Sequence, residues 1–423
     1  MKRSLVEFLD ERTEINSLSL RKIREGATEI FVPDPETYVS APNKYLPAEL
    51  PVFYNPLMEI NRDISILSVR YYIENYLDEE ENIYYVEALA GTGIRGFRIL
   101  KELPNTHITV ILNDANPLAT ELMKFNTEQL GISSDRIKIY NYDANFLLLK
   151  LRKEGIIPNI IEIDPYGSPA PFIFNAIRAI KGKNGLLLVT ATDSAPLSGK
   201  FLNAALRKYG AYVIKNPFPR EIAVRTLYYM IGREATILAK RIRPLFSTFI
   251  RHFIKVIMLV NRGKKEADKF WNSVGWVSFC PVCNEFYVSK TLGTFPPFYC
   301  QYDNHGETKI IGPLWTDPIF DTEFLEYVYR LLSDGAISIS TKSANVLKKI
   351  VSWEKNTSHI PFFYDIHEIS RMLKMPAPKT DYVVNLLLNL NFVAGRTHFN
   401  PRGIKTDARL PQILKILKDL SEI

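Results

Sequence analysis

The chain has 423 residues, 46% of them hydrophobic and 23% charged, which fits a soluble globular protein of two or three domains and excludes a disordered one. A net charge of +7 and a pI near 9.0 suit a polyanionic partner such as nucleic acid without requiring one. The longest apolar runs, such as Phe253 to Val260, carry a lysine and are too short to span a bilayer, so no membrane partner is expected. Cys280, Cys283 and Cys300 fall in one short segment, and Met1 to Glu7 contains no signal-like apolar region. A disulfide framework is thereby excluded, and a cytoplasmic location is expected.

Residues 1–50 are polar and then punctuated by Pro33, Pro35, Pro42 and Pro47, which predicts an N-terminal arm or loop rather than a domain. Residues 51–262 form the first domain. Tyr84 to Leu89, Ile108 to Leu112, Ile137 to Tyr140, Ile160 to Ile163 and Leu186 to Thr190 read as strands. Helical patterns such as Ile94 to Glu102 and Pro117 to Leu130 lie between them. Such alternation predicts an α/β, Rossmann-like parallel sheet wrapped by helices. Arg220 to Arg241 reads as a long helix, and Phe246 to Val260 as two further strand-like runs. Charge and glycine interrupt the pattern in Asn261-Arg262-Gly263-Lys264-Lys265, which sets the boundary of a C-terminal α+β domain, 263–423. That domain holds a zinc-ribbon-like segment, 276–315. Two short helices, Ile366 to Leu373 and Asp381 to Leu390, then precede a hairpin in a winged-helix-like part.

The most informative stretch is Ile161-Glu162-Ile163-Asp164-Pro165-Tyr166-Gly167. A buried strand ending in this turn leaves a carboxylate, a proline carbonyl and an aromatic ring at its C-terminal edge, where open α/β sheets bind ligands. Carboxylate and carbonyl can accept hydrogen bonds from an exocyclic amine while the ring stacks on its base. Upstream, Gly91, Gly93 and Gly96 make a G-x-G-x-x-G that also invites a dinucleotide reading, with Asp114 after the next strand to grip ribose hydroxyls. Two further acids separate the readings. Glu87, before the glycines, could face the ammonium of a methionine, and Asp143, after the third strand, an adenine amino group. An acid after each of four successive strands is the layout of an S-adenosylmethionine (SAM)-dependent methyltransferase, although acids at such positions also cap helices. Arg62 and Arg95 are candidate partners for the cofactor carboxylate, since a guanidinium pairs it bidentately.

Cys280-Pro281-Val282-Cys283 with Cys300 supplies three ligands of a structural zinc site. A second C-x-x-C would end at 303, which is Asp303; His305 is the better fourth ligand chemically. Arg220, Arg225, Arg233, Lys240, Arg241 and Arg243, and separately Arg396, Arg402, Lys405 and Arg409, are candidate phosphate-contacting surfaces.

These residues carry a resemblance to a known family. Glu25-Gly26-Ala27, Val52 to Pro56, Asn61-Arg62-Asp63, the glycine loop, Asn113-Asp114, Asp143-Ala144-Asn145, Asp164 to Pro169, Thr190 to Leu197, Gly312 to Trp315, Pro361 to His367 and Arg396 to Pro401 occur in one order over nearly the whole length. In these the chain resembles the tRNA (guanine-26) N2-dimethyltransferase family. The resemblance implies that Arg62, Arg95, Asp114, Asp143 and Ala144 touch SAM, with Glu87 supporting the methionine end. It further implies that Asp164 is catalytic, that Phe53 and Tyr166 position a flipped guanine, and that tRNA is the partner. Two departures stand out: position 166 is Tyr where Phe is common, and the cysteine cluster is incomplete. Methylation of adenine N6 or of a protein glutamine shares the Asp-Pro-Tyr chemistry, but those classes usually show a second proline before the ring. A tRNA-binding protein without activity would be expected to lack the glycine loop or Asp164.

Overall fold

The structure is a computed structural model that describes residues 7–38, 47–77, 82–103, 107–302 and 305–421. Met1 to Val6, Pro42 and Asp303 lie outside the described residues. The N-terminal region is a three-stranded antiparallel sheet rather than an arm: β1 (Glu7–Ile15), β2 (Leu18–Glu25) and β3 (Thr28–Pro33), followed by the short α1 (Pro35–Tyr38). Gly26, at φ +59°, makes the turn that joins β2 to β3. Leu18, Leu20, Ile23, Ile30 and Val32 are buried, so the sheet docks on the body of the molecule. Asn126 fastens it, accepting from Phe31 N at 2.8 Å and donating to Phe31 O at 2.9 Å.

The buried helix α2 (Glu59–Tyr76) leads into the central repeat. There β4 (Ile83–Glu87), α3 (Ile94–Glu102), β5 (Ile108–Asn113), α4 (Pro117–Gln129), β6 (Ile137–Tyr140), α5 (Ala144–Lys153), β7 (Ile160–Ile163), α6 (Ala170–Ala179) and β8 (Gly185–Ala191) alternate. Two short helices, α7 (Ser194–Leu197) and α8 (Leu202–Tyr209), precede the long α9 (Pro219–Ile237) and the hairpin β9 (Lys240–Ile250) and β10 (Phe253–Arg262). The seven strands stand in the order β6-β5-β4-β7-β8-β10-β9. Strands β4 to β8 are parallel, and β10 runs antiparallel to both β8 and β9. Helices cover both faces, so strands such as β7 and β8 are buried along their whole length. Successive strands are added outward on one side from β4 to β6 and on the other side from β7, so the strand order reverses between β4 and β7, the switch point at which such sheets bind ligands.

Beyond α10 (Lys264–Asp268), strands β11 (Val274–Phe279), β12 (Phe286–Ser289) and β13 (Lys309–Trp315) form a small sheet carrying the cysteines. Helices α11 (Thr322–Asp334) and α12 (Thr341–Glu354) follow. Then come β14 (Tyr364–Asp365), α13 (Ile366–Leu373), α14 (Thr380–Asn389), the hairpin β15 (Ala394–Thr397) and β16 (Asn400–Thr406), and α15 (Leu410–Ser421). Helix, short strand, two helices and hairpin give the winged-helix-like part. No helix among the described residues is long and apolar enough to cross a membrane.

This packing corrects part of each of the two basic clusters. Arg225 is buried, paired with Glu221 at 2.7 Å and donating to Trp315 O and Asp317 O. The Lys240 ammonium donates to the carbonyls of Ile177 and Ile180 at the end of α6. Lys405 is buried against Glu354 at 3.0 Å, and Arg396 pairs with Asp381 over the Trp353 ring. Arg233, Arg241 and Arg243 each face a neighbouring carboxylate. Arg225, Lys240 and Lys405 are thus turned inward, and Arg233, Arg241, Arg243 and Arg396 are paired with carboxylates.

Candidate active site at the switch point of the sheet

Four acids emerge at the C-terminal edges of four adjacent parallel strands: Glu87 from β4, Asp114 after β5, Asp143 after β6 and Asp164 after β7. Asp114 accepts from Gly91 N at 2.8 Å through one oxygen and from Asn116 N at 2.9 Å through the other. Asp143 caps α5, accepting from Asn145 N and Phe146 N through Oδ1. Ala144, beside it, is buried in the first turn. Gly91 sits at φ +53°, and a Cβ there would lie 2.9 Å from the Phe53 carbonyl oxygen, so the loop passes directly under the Phe53 segment. Gly93, at φ +75°, opens α3.

Arg95, in the first turn of α3, bridges β4 and β7. It donates to Glu87 at 2.6 Å, to Asn61 at 3.0 Å and to Asp164. Behind it, the Lys255 ammonium on β10 donates to Glu162 at 2.7 Å, Asn61 at 2.9 Å and Ser65 at 2.9 Å. The cluster thus holds three carboxylates (Glu87, Glu162 and Asp164) against two cations, Arg95 and Lys255. Burial pushes the Glu87 carboxyl up to about 7, against the pull of Arg95 and with reinforcement from Glu162 and Asp164. Perturbed groups of this kind mark functional clefts. The fit to SAM follows from charge. At neutral pH that molecule carries an ammonium, a sulfonium and a carboxylate, one net positive charge, and the cluster has one carboxylate in excess.

The two guanidiniums expected to meet the cofactor carboxylate are engaged with the protein. Arg95 is partnered as above. Arg62 grips Glu25 through two bonds of 2.6 Å, donates to Asn55 O at 3.2 Å and lies against the Tyr54 ring. Glu25 also accepts from Arg98, and Arg62 and Arg98 together hold it below the usual carboxylate range despite its burial. Arg62 therefore ties the turn after β2 to the segment that presents Phe53.

The aromatic residues face outward. Tyr166 is 83% exposed and Phe53 42%, while Val52 and Tyr54 on either side of Phe53 are buried. Their rings meet edge to face at 6.1 Å and 62°, an aromatic pair rather than an open slot. The turn carrying Tyr166 is fixed to the loop after β8. Gly167 N donates to Thr192 Oγ1 at 2.7 Å, and Thr192 N to Gly167 O at 2.9 Å. Ser168 bonds the Tyr209 hydroxyl at 2.8 Å, which in turn donates to Asp193 at 2.6 Å.

In the small sheet, one donor atom each from Cys280, Cys283, Cys300 and His305 lies within 4.8 Å of the others. Cys283 Sγ is 3.8 Å from Cys300 Sγ, and His305 Nδ1 is 3.8 Å from both Cys280 Sγ and Cys300 Sγ. Zinc–sulfur bonds of about 2.3 Å in a tetrahedron place sulfurs about 3.8 Å apart. Three thiols and an imidazole so arranged fit zinc, and none of the cysteines forms a disulfide.

The model of one protein family, the N2,N2-dimethylguanosine tRNA methyltransferases, matches residues 26–418. The chain belongs to this family. A tRNA (guanine(26)-N(2))-dimethyltransferase of Saccharolobus solfataricus is 36% identical to it over 407 residues, covering 95% of this chain and 100% of that protein. One of Methanosphaera stadtmanae is 33% identical over 402 residues, covering 95% and 97%. The structure of Trm1 from Pyrococcus horikoshii in complex with SAM superposes with a TM-score of 0.77 at 28% identity, covering 93% of this chain and 99% of that one. This member of the family is therefore an enzyme with a SAM-dependent methyltransferase fold.

Sequence reasoning missed the roles of Glu162, Lys255, Asn61, Glu25 and Asp193. A signal was present for two of them. Glu162 and Lys255 are the single charged residues in otherwise apolar strand interiors, Ile160–Ile163 and Phe253–Val260. A charge buried in that way needs a partner.

Proposed function

We propose that this enzyme transfers methyl groups from SAM to the exocyclic N2 of guanine 26 in tRNA, first one and then a second. The observation that carries the reading is Asp164 at the switch point, with the exposed Tyr166 ring two residues on and Phe53 against it. Membership of the family and the names of its relatives supply the substrate. The guanine N2 lone pair is delocalised into the ring and is a poor nucleophile. Hydrogen bonds from the amine to Asp164 and to the Pro165 carbonyl draw the nitrogen toward tetrahedral geometry. The nitrogen then bonds to the methyl carbon as the carbon–sulfur bond breaks, the electron pair leaves with sulfur as a neutral thioether, and the surplus proton passes to Asp164. Alignment of the reactants can supply about 7–11 kcal/mol of the barrier reduction, and positioned proton acceptance about 10²–10⁴-fold in rate.

In this reading Asp114 takes the ribose hydroxyls, Asp143 and Ala144 the adenine, and Glu87 the methionine ammonium, with Gly91 and Gly93 shaping the loop beneath. Arg62 acts indirectly, by fixing the Phe53 segment. Extruding a base costs a few kcal/mol, offset by about 1–3 kcal/mol per stacked base. Incubation with labelled SAM and unmodified tRNA, followed by nucleoside analysis, should yield N2-methylguanosine and then N2,N2-dimethylguanosine at position 26. Label in adenosine, or none in tRNA, would refute the assignment.

We also propose that Cys280, Cys283, Cys300 and His305 hold one structural zinc, remote in sequence and role from methyl transfer. Metal analysis should find one zinc per chain in the wild type and less in Cys280→Ser. Chelation should lower the melting temperature and leave SAM affinity unchanged.

A further inference from the structure

Lys255 is fully buried on β10, and each of its three protons has an acceptor: Glu162 Oε1, Asn61 Oδ1 and Ser65 Oγ. Such a pair is expensive to bury, and packed apolar residues often serve stability as well or better. Its position directly behind the Arg95–Asp164 bridge is therefore informative. Glu162 is equally buried, and its second oxygen, Oε2, has no hydrogen-bond partner. Arg95 Nε, 3.9 Å from that oxygen, has none either. The two are close enough to attract and too far apart to bond. Arg95 is thus drawn toward two acids, Asp164, which it bonds, and Glu162, which it does not.

We propose that Lys255 is a positioning residue for methyl transfer. By neutralising Glu162 and holding Asn61, it leaves Arg95 directed at Asp164 and keeps that carboxylate oriented. Without the ammonium, the Arg95 guanidinium is the nearest cation to Glu162 and swings its Nε onto Oε2, away from Asp164. Groups facing this bridge are Glu87 and Tyr85 from β4, Glu162 from β7, Lys255 from β10, and Asn61 and Arg62 from α2. Of these, Lys255 and Glu162 are bonded to each other, so their charges can be removed together without altering the net charge or breaking a hydrogen bond of Arg95.

The inference rests on Asp164 being the proton acceptor, and the test separates the two ideas. Lys255→Met should move the acid limb of the kcat profile upward, measured at saturating SAM so that the titration of unliganded Glu87 does not enter. Below that limb, kcat should fall about tenfold. Lys255→Met/Glu162→Gln, which removes both charges, should return the limb to its wild-type position. Glu162→Gln alone frees Arg95 from competition and should shift the limb down, which keeps the idea testable if Lys255→Met is too unstable to assay. A purely structural lysine would change stability without moving the limb. An unmoved limb in Lys255→Met, a double variant that keeps the single variant's profile, or an unmoved limb in Glu162→Gln would each overturn the proposal. Wild-type turnover in Asp164→Ala would instead overturn the role of Asp164 itself.

Discussion

Two of the buried ionic clusters among the described residues, one in the C-terminal part and one beneath the candidate active site, are balanced differently. In the first, Glu354 and Glu221 face Lys405, Arg225 and His398. Glu354 accepts from Thr397 Oγ1, His398 N and Lys405 Nζ. Burial works against its ionised form, yet Lys405 and His398 hold it far below the usual carboxylate range. In the second, the same desolvation leaves Glu87 raised to about 7 and the Lys255 ammonium lowered. Acids fully matched by basic groups of the protein serve to hold chain segments together. In the proposed reading, the surplus carboxylate at the strand edge meets the cationic methyl donor.

The contrast predicts that damage to the two clusters will appear in different measurements. Asp164→Ala should lower kcat by about 10²–10⁴-fold, with a far smaller change in SAM affinity by calorimetry and a smaller loss of stability than Lys405→Met, since Arg95 keeps its bonds to Glu87 and Asn61. Lys405→Met, which strands Glu354 in the interior, should cost about 3–5 kcal/mol in denaturant unfolding and leave the kcat of the folded fraction unchanged. If Lys405→Met abolished catalysis in folded protein, the distinction between the clusters would fail. Tyr166→Ala should raise the KM for tRNA by the equivalent of about 1–3 kcal/mol, whereas Tyr166→Phe keeps the ring and should match the wild type.

The smallest effect concerns pH. Glu87 titrates near 7 in the fold and near the ordinary glutamate value of 4.5 when unfolded. The folded state therefore holds the proton more tightly, and this group's contribution to stability declines as pH rises from the unfolded value through about 7. Bound SAM offers a cation to the ionised form, so its affinity should rise between pH 6 and 7.5 by a few-fold in titration calorimetry. A flat profile would show that Glu87 does not sense the ligand.

Much of the sheet was legible because β-branched runs bounded by turn residues admit few other readings. Expected strands at Ile137–Tyr140 and Ile160–Ile163 agree with the structure to the residue. The four strand-end acids were legible for the same reason: once the strands are placed, so are the residues that follow them. Partners were not. Arg62 meets Glu25, 37 positions away, and Lys255 meets Glu162, 93 positions away, through contacts that only the strand order and helix packing create. The N-terminal sheet escaped notice because β1 is largely exposed and charged, and β2 shows its apolar positions only through Leu18, Leu20 and Ile23. His305 was favoured over Asp303 on ligand chemistry, and its Nδ1 does lie beside two of the thiols.

In the proposed reading, where Tyr166 seats the base, the latch between Gly167 and Thr192, with Ser168, Tyr209 and Asp193 behind it, has a consequence for the RNA. An aromatic seat bolted to two strand ends does not travel to meet a base. The movement, and with it the unstacking energy, falls on the nucleic acid. Selection among tRNAs then becomes partly a question of their mechanics. A target guanine whose neighbours grip it weakly reaches the seat more cheaply than an identical guanine in a well-stacked helix, whatever the surrounding sequence spells.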